Sequence, residues 1–127
     1  MNMRSWQNRR TARTDRWKRE DDAPRLKQEV PNLEALRMNL EEFSGGHRIV
    51  GTSRIQHVVV GVASTRFEIP CGDSKCEDGG HDLTRDMLNA LRSGREAFNA
   101  SSVCSGRVGE RACDRALEYS FTAKYQS

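Results

Sequence analysis

Cys71-Gly-Asp-Ser-Lys-Cys76 and Cys104-Ser-Gly-Arg-Val-Gly-Glu-Arg-Ala-Cys113 hold the only four cysteines of this 127-residue chain. The first thirty residues are charged and lack the apolar core of a secretory signal, so the chain reads as cytoplasmic, where thiols stay reduced. In that setting paired cysteines more often hold a metal than form disulfides. Four thiolates around one tetrahedral ion make a structural zinc site. Cys71, Cys76, Cys104 and Cys113 are therefore the expected ligands of one Zn2+. Buried free thiols, and disulfides in any of three pairings, stay open on sequence grounds.

Working outward, the elements beside the cysteines can be read from periodicity. Ile55 to Val62 is rich in β-branched residues and reads as a strand, bulged near Gly61. Phe67 and Ile69 continue an alternation up to Pro70 and Cys71. Beyond Cys113, Leu117, Tyr119, Phe121, Ala123 and Tyr125 alternate with polar residues, the clearest strand in the chain. Between the cysteine pairs, Asp82 is a helix cap, Leu83, Met87, Ala90 and Leu91 share one face, and Gly94 is a stop. Glu96 to Ser101 then reads as a short strand around Phe98. If the strand entering Cys71 and the strand leaving Cys113 are antiparallel neighbours, both cysteines fall at one end of the sheet.

This order, from Phe67 to Leu117, resembles that of zinc-ribbon and zinc-knuckle domains with a helix inserted between the knuckles. The resemblance implies an α+β fold: a small antiparallel sheet of about three strands, closed at one end by the four-cysteine zinc site, with helix 83–93 on one face. The C-x4-C and C-x8-C spacings depart from the usual C-x2-C.

Upstream, Leu33, Leu36, Leu40 and Phe43 follow at three, four and three after Asn32, and Ser44-Gly45-Gly46 ends the run. That spacing predicts a helix over 32–43, packed on the zinc domain or offered to a partner. Pro24 and Pro31 separate it from what precedes. The organisation expected is a basic arm over 1–31 and a zinc-stabilised domain over 32–127 with a helical N-terminal extension. Hydrophobic residues are only 35% of the chain and charged residues 31%, so the core is small and a metal cross-link would offset the shortage. No apolar run is long enough to span a membrane.

The chain carries a net charge of +3, and residues 1–20 alone carry +5. Arg4, Arg9, Arg10, Arg13, Arg16, Lys18 and Arg19 supply it against Asp15 and Glu20. Such an arm suits phosphate backbones. Trp6 and Trp17, eleven apart, would share one face of a helix, where they can stack on bases or dock the arm at home.

His81 stands in Asp78-Gly-Gly-His-Asp82, at a helix start. It is a candidate fourth ligand in place of a cysteine, a group bonded to a ligand, a general base, or a plain loop histidine. Catalysis finds little support. A zinc deaminase pairs Pro-Cys-x-x-Cys with His-x-Glu; here Cys76 is too far from Pro70-Cys71, and Val58-Val59 follow His57. No second metal-binding histidine lies on helix 83–93, as a ββα-metal nuclease needs, and no G-x-S-x-G, P-loop or H-E-x-x-H occurs. A binding protein, not an enzyme, is expected. Its first reading is a regulator that binds RNA, DNA or a nucleoprotein complex through the arm. Its second is a protein–protein adaptor using helix 32–43 or a sheet edge. The acidic loop of Asp73, Glu77, Asp78 and Asp82 argues against phosphate contact at the cysteines themselves.

Overall fold

The computed structural model describes residues 14–45, 47–49 and 53–126. The first half holds the helical residues 14–22 (α1), α2 (Leu26–Glu29), β1 (Leu33–Ser44), β2 (His47–Arg48), β3 (Arg54–Val58) and β4 (Glu68–Ile69). The second half holds β5 (His81–Asp82), α3 (Thr84–Arg92), β6 (Ala97–Val103), β7 (Arg107–Val108), β8 (Arg111–Ala112) and β9 (Arg115–Tyr125). The fold is a mixed α+β arrangement, as expected, but one of its helices was misplaced.

The helix expected over 32–43 is strand β1. Leu36, Met38, Leu40 and Glu42 alternate inward along it. Leu36 and Leu40 satisfy a period of two and a period near 3.6 alike, so the two patterns compete over this stretch. A register shift between Leu33 and Ala35 decides the appearance. The bulge inserts one residue, so Leu33 and Leu36 both face the core although three apart. That spacing mimics a helix face.

β1 is paired along both edges. β9 runs antiparallel to it over nearly its whole length, and β2 and β3 follow one another along the other edge. β6 adds to the far side of β9. The sheet is thus four rows wide, in the order β2/β3, β1, β9, β6. β9 matches the alternation read from the sequence: Leu117, Tyr119, Phe121 and Ala123 are all buried. Its partner β6 sets Phe98 against Phe121, with ring centroids 5.4 Å apart. β3 stops at Val58, short of the strand expected to Val62; the amides of Val62 and Ala63 turn back to the carbonyl of Val59.

One face of the sheet carries the core. Leu26 and Val30 from α2, Val60, Phe67, Leu83, and Met87, Ala90 and Leu91 from α3 cover Leu36, Met38, Leu40, Leu117, Tyr119 and Phe121. Each such side chain contributes about 1.5–3 kcal/mol by leaving water. α3 begins one residue later than Asp82 suggested. Leu83 is the N-cap, but Asp82 Oδ1 still accepts the Thr84 amide at 3.1 Å. Its end is as read: Gly94 has φ +75, and the amides of Gly94 and Arg95 bond the carbonyls of Leu91 and Ala90. These are the paired bonds of a Schellman motif, which favours glycine there. The opposite face of the sheet is polar and open, a groove of about 780 Å³ lined by residues such as Asn39, Glu41, Asn99, Ser101, Glu118 and Ser120.

The chain joins the core at Leu26. Arg25 secures that junction. Its Nη2 donates to the carbonyls of Glu20, Asp21 and Ala23, satisfying the end of α1, and its Nη1 reaches the Val62 carbonyl at 3.3 Å. Arg19 forks onto Glu68 at 2.8–3.2 Å. No helix among the described residues is long and apolar enough to cross a membrane.

Candidate metal centre

Two connections meet beyond one end of the sheet, residues 70–80 and residues 104–114, and hydrogen bonds hold each in place. β4 pairs with β5, not with β9, so the strands flanking Cys71 and Cys113 are not the neighbours expected. Cys71 instead reaches the site on a loop whose Gly72 amide donates to Glu42 Oε2 at 3.0 Å. The C-x8-C interval folds as a hairpin of β7 and β8, closed by Cys104 N–H to the Arg115 carbonyl and Cys113 N–H to the Gly106 carbonyl, both 2.9 Å. Cys76 is seated on that hairpin because Glu77 and Arg107 exchange two backbone bonds, at 2.8 and 2.9 Å.

The result is a sulfur cluster. The four Sγ atoms all lie within 4.8 Å of one another. Cys71 and Cys113 are 3.8 Å apart, Cys76 and Cys104 3.7 Å, and all four thiols are free. A tetrahedron with zinc–sulfur bonds of about 2.3 Å has edges of about 3.8 Å. The spacing therefore fits four sulfurs round one ion. Cys76, Cys104 and Cys113 are buried, and Cys71 is half-buried.

Backbone amides aim at the sulfurs. Asp73 N–H points to Cys71 Sγ at 3.4 Å, and Gly80 and Gly106 N–H to Cys104 Sγ at 3.3 and 3.4 Å. Two of these donors are glycines, and Gly79 lies against the same sulfurs. A Cβ on Gly79 would lie 2.6 Å from Cys104 Sγ and closer still to Cys76 Sγ. One on Gly106 would lie 2.5 Å from both Cys76 Sγ and the Gly79 Cα. Only bare backbone fits against these sulfurs.

The electrostatics favour a cation. Burial pushes the Cys71 thiol up to about 12 and raises Cys76 further, since an isolated thiolate is costly there. Burial opposes ionisation of Cys104 too, but hydrogen bonds from the Gly106 and Gly80 amides and from Cys76 and Cys113 together outweigh it and lower that thiol. Four thiols crowded together cannot all ionise without a positive charge among them, and a metal ion would supply it.

His81 stands outside this group. Its ring is buried, with Nδ1 3.0 Å from Ser102 Oγ and Nε2 without a hydrogen-bond partner among the described residues. Burial lowers its pKa, with Glu42 pulling the other way. The four cysteines assemble without it; its link to the site is its neighbour, Gly80. Of the arm residues, Arg16, Trp17, Lys18 and Arg19 lie on α1, whereas Arg4, Trp6, Arg9, Arg10 and Arg13 lie outside the described residues. Trp17 is 53% exposed. Two participants escaped the sequence reading, Glu42 and Arg115. The available signal was a carboxylate at an interior position of an alternating strand, visible only once 33–44 is read as β1.

Comparison with known proteins adds no family: no family model, no curated protein and no solved structure matches this chain.

Proposed function

We propose that this protein is a small zinc-binding module that engages nucleic acid or a nucleoprotein complex through its basic N-terminal arm, with no catalytic role. Zinc follows from an all-thiolate donor set at tetrahedral spacing. The tight amide-to-sulfur loops and the hairpin between Cys104 and Cys113 are similar to those of zinc-ribbon and zinc-knuckle domains. A site closed by four thiolates leaves no position for substrate.

The observation that carries the nucleic-acid reading is the surface of α1, where Trp17 and Lys18, consecutive in sequence, are both exposed near the end of the +5 segment. Charge beside an exposed indole serves both phosphate and base stacking. The adaptor reading loses its helix, because 33–44 is an internal strand paired on both edges.

The test is binding of single-stranded RNA and duplex DNA at two salt concentrations. Wild type should bind weakly and with little sequence preference. Replacing Arg9, Arg10, Arg13 and Arg16 with Ala should lower the salt slope by about 0.7–0.9 per lost phosphate contact. Equal, negligible affinity of both proteins at low salt would reject this reading and favour an acidic protein partner.

A further inference from the structure

Glu42 is out of place by the rules of its strand. It occupies the interior position after Leu36, Met38 and Leu40, and it is 6% exposed. A buried carboxylate is retained at a cost unless its partners repay desolvation, and a buried ion pair is rarely the most stable filling for such a position. Both oxygens of Glu42 are engaged towards the metal centre. Oε2 accepts the Gly72 amide next to Cys71, and Oε1 accepts Arg115 Nη1 at 2.5 Å. Arg115 in turn belongs to the cysteine end, since its carbonyl holds the Cys104 amide.

The fit is close from the other side too. A Cβ on Gly72 would fall 2.9 Å from Glu42 Oε2 and closer still to Oε1. The Cys71 loop thus rests on the carboxylate with no room between them. Cys71 is also the one cysteine that is not fully buried. It gains least from the surrounding fold and depends most on a specific anchor.

We propose that Glu42 and Arg115 are the positioning pair of the metal centre: Glu42 fixes the Cys71 loop to the sheet, and Arg115 sets a cation beside an anionic four-thiolate site. The inference rests on the metal reading above. Groups of this kind, one bond removed from the ligands, change metal affinity by about 10–100-fold when altered.

Alkylation of the zinc-loaded protein, followed cysteine by cysteine by mass spectrometry, tests it. Gly72 and Arg115 meet different oxygens of Glu42, so in Glu42→Gln one of those positions becomes an NH2 facing a donor and that bond is lost. Cys71 should then react about tenfold faster or more, with Cys76, Cys104 and Cys113 unchanged. Gly72→Ala, which displaces the same carboxylate from the opposite side, should give the same selective effect. Arg115→Lys, which keeps the charge without the fork, should fall between. These two variants carry the test if Glu42→Gln does not fold. A uniform rise at all four cysteines, or no rise, overturns the positioning role while a protected wild-type cluster leaves the metal reading standing. If zinc protects none of the wild-type thiols, the metal reading fails and this inference with it.

Discussion

Phe121 and Cys104 are both buried, at 1% and 5% exposure, but among different neighbours. Phe121 sits mid-strand on β9, in the largest apolar cluster, stacked on Phe98 and paired across to Met38. Cys104 belongs to a second cluster made of cysteines with Val108 beside them. Carbon leaving water stabilises the first region with no further partner. The second gathers four thiols, three buried and one half-buried, on loops beside strands two residues long, with Val108 as the aliphatic side chain packed against them. One region folds by exclusion of water; the other needs a charge at its centre. Removing that charge should therefore affect the two ends unequally.

The largest effect should come from the metal. Chelation, or Cys104→Ser, should release amide protection over residues 71–80 and 104–113 while β1 and β9 keep theirs, as read by hydrogen exchange. Structural zinc contributes about 10–16 kcal/mol of apparent binding free energy to folding. Loss of protection in the sheet at the same rate would show that the two regions are a single unit. Next, Phe121→Ala should cost about 3–5 kcal/mol in denaturant unfolding, with metal content per folded chain unchanged. A smaller effect concerns pH. His81 is held neutral in the fold below the usual 6.5, so the stability it supplies is complete above pH 6.5 and is lost as pH falls through its lowered folded value. His81→Gln should make the acid limb of the unfolding curve shallower, and an unchanged limb would contradict the burial argument. Least of all, Arg19→Ala should cost under about 1 kcal/mol, because the Arg19–Glu68 pair is half in water.

The two regions also differed in how much the sequence disclosed. β9 and α3 were readable because one period ran without interruption, and the cysteines because four thiols in two pairs made a metal site the first of several readings, although their spacing is unusual. β1 was not, since its bulge placed Leu33 and Leu36 three apart and Leu40 fits either period. Glu42 was hidden by the same error: on a helix it is one more surface acid, and only at position 42 of a strand does it point into the core. The pairing of β4 with β5 was also out of reach, because strands of two residues carry no periodicity at all.

The central claim, that one ion at four sulfurs holds the cysteine end together, is tested most directly by metal analysis of protein purified without added metal. The account predicts one zinc per chain, replaceable by Co2+ with the thiolate charge-transfer bands of a tetrahedral four-sulfur site. Iron in its place would keep the four-sulfur site and change only the metal. A folded protein containing no metal, with four freely reactive thiols, would contradict the account.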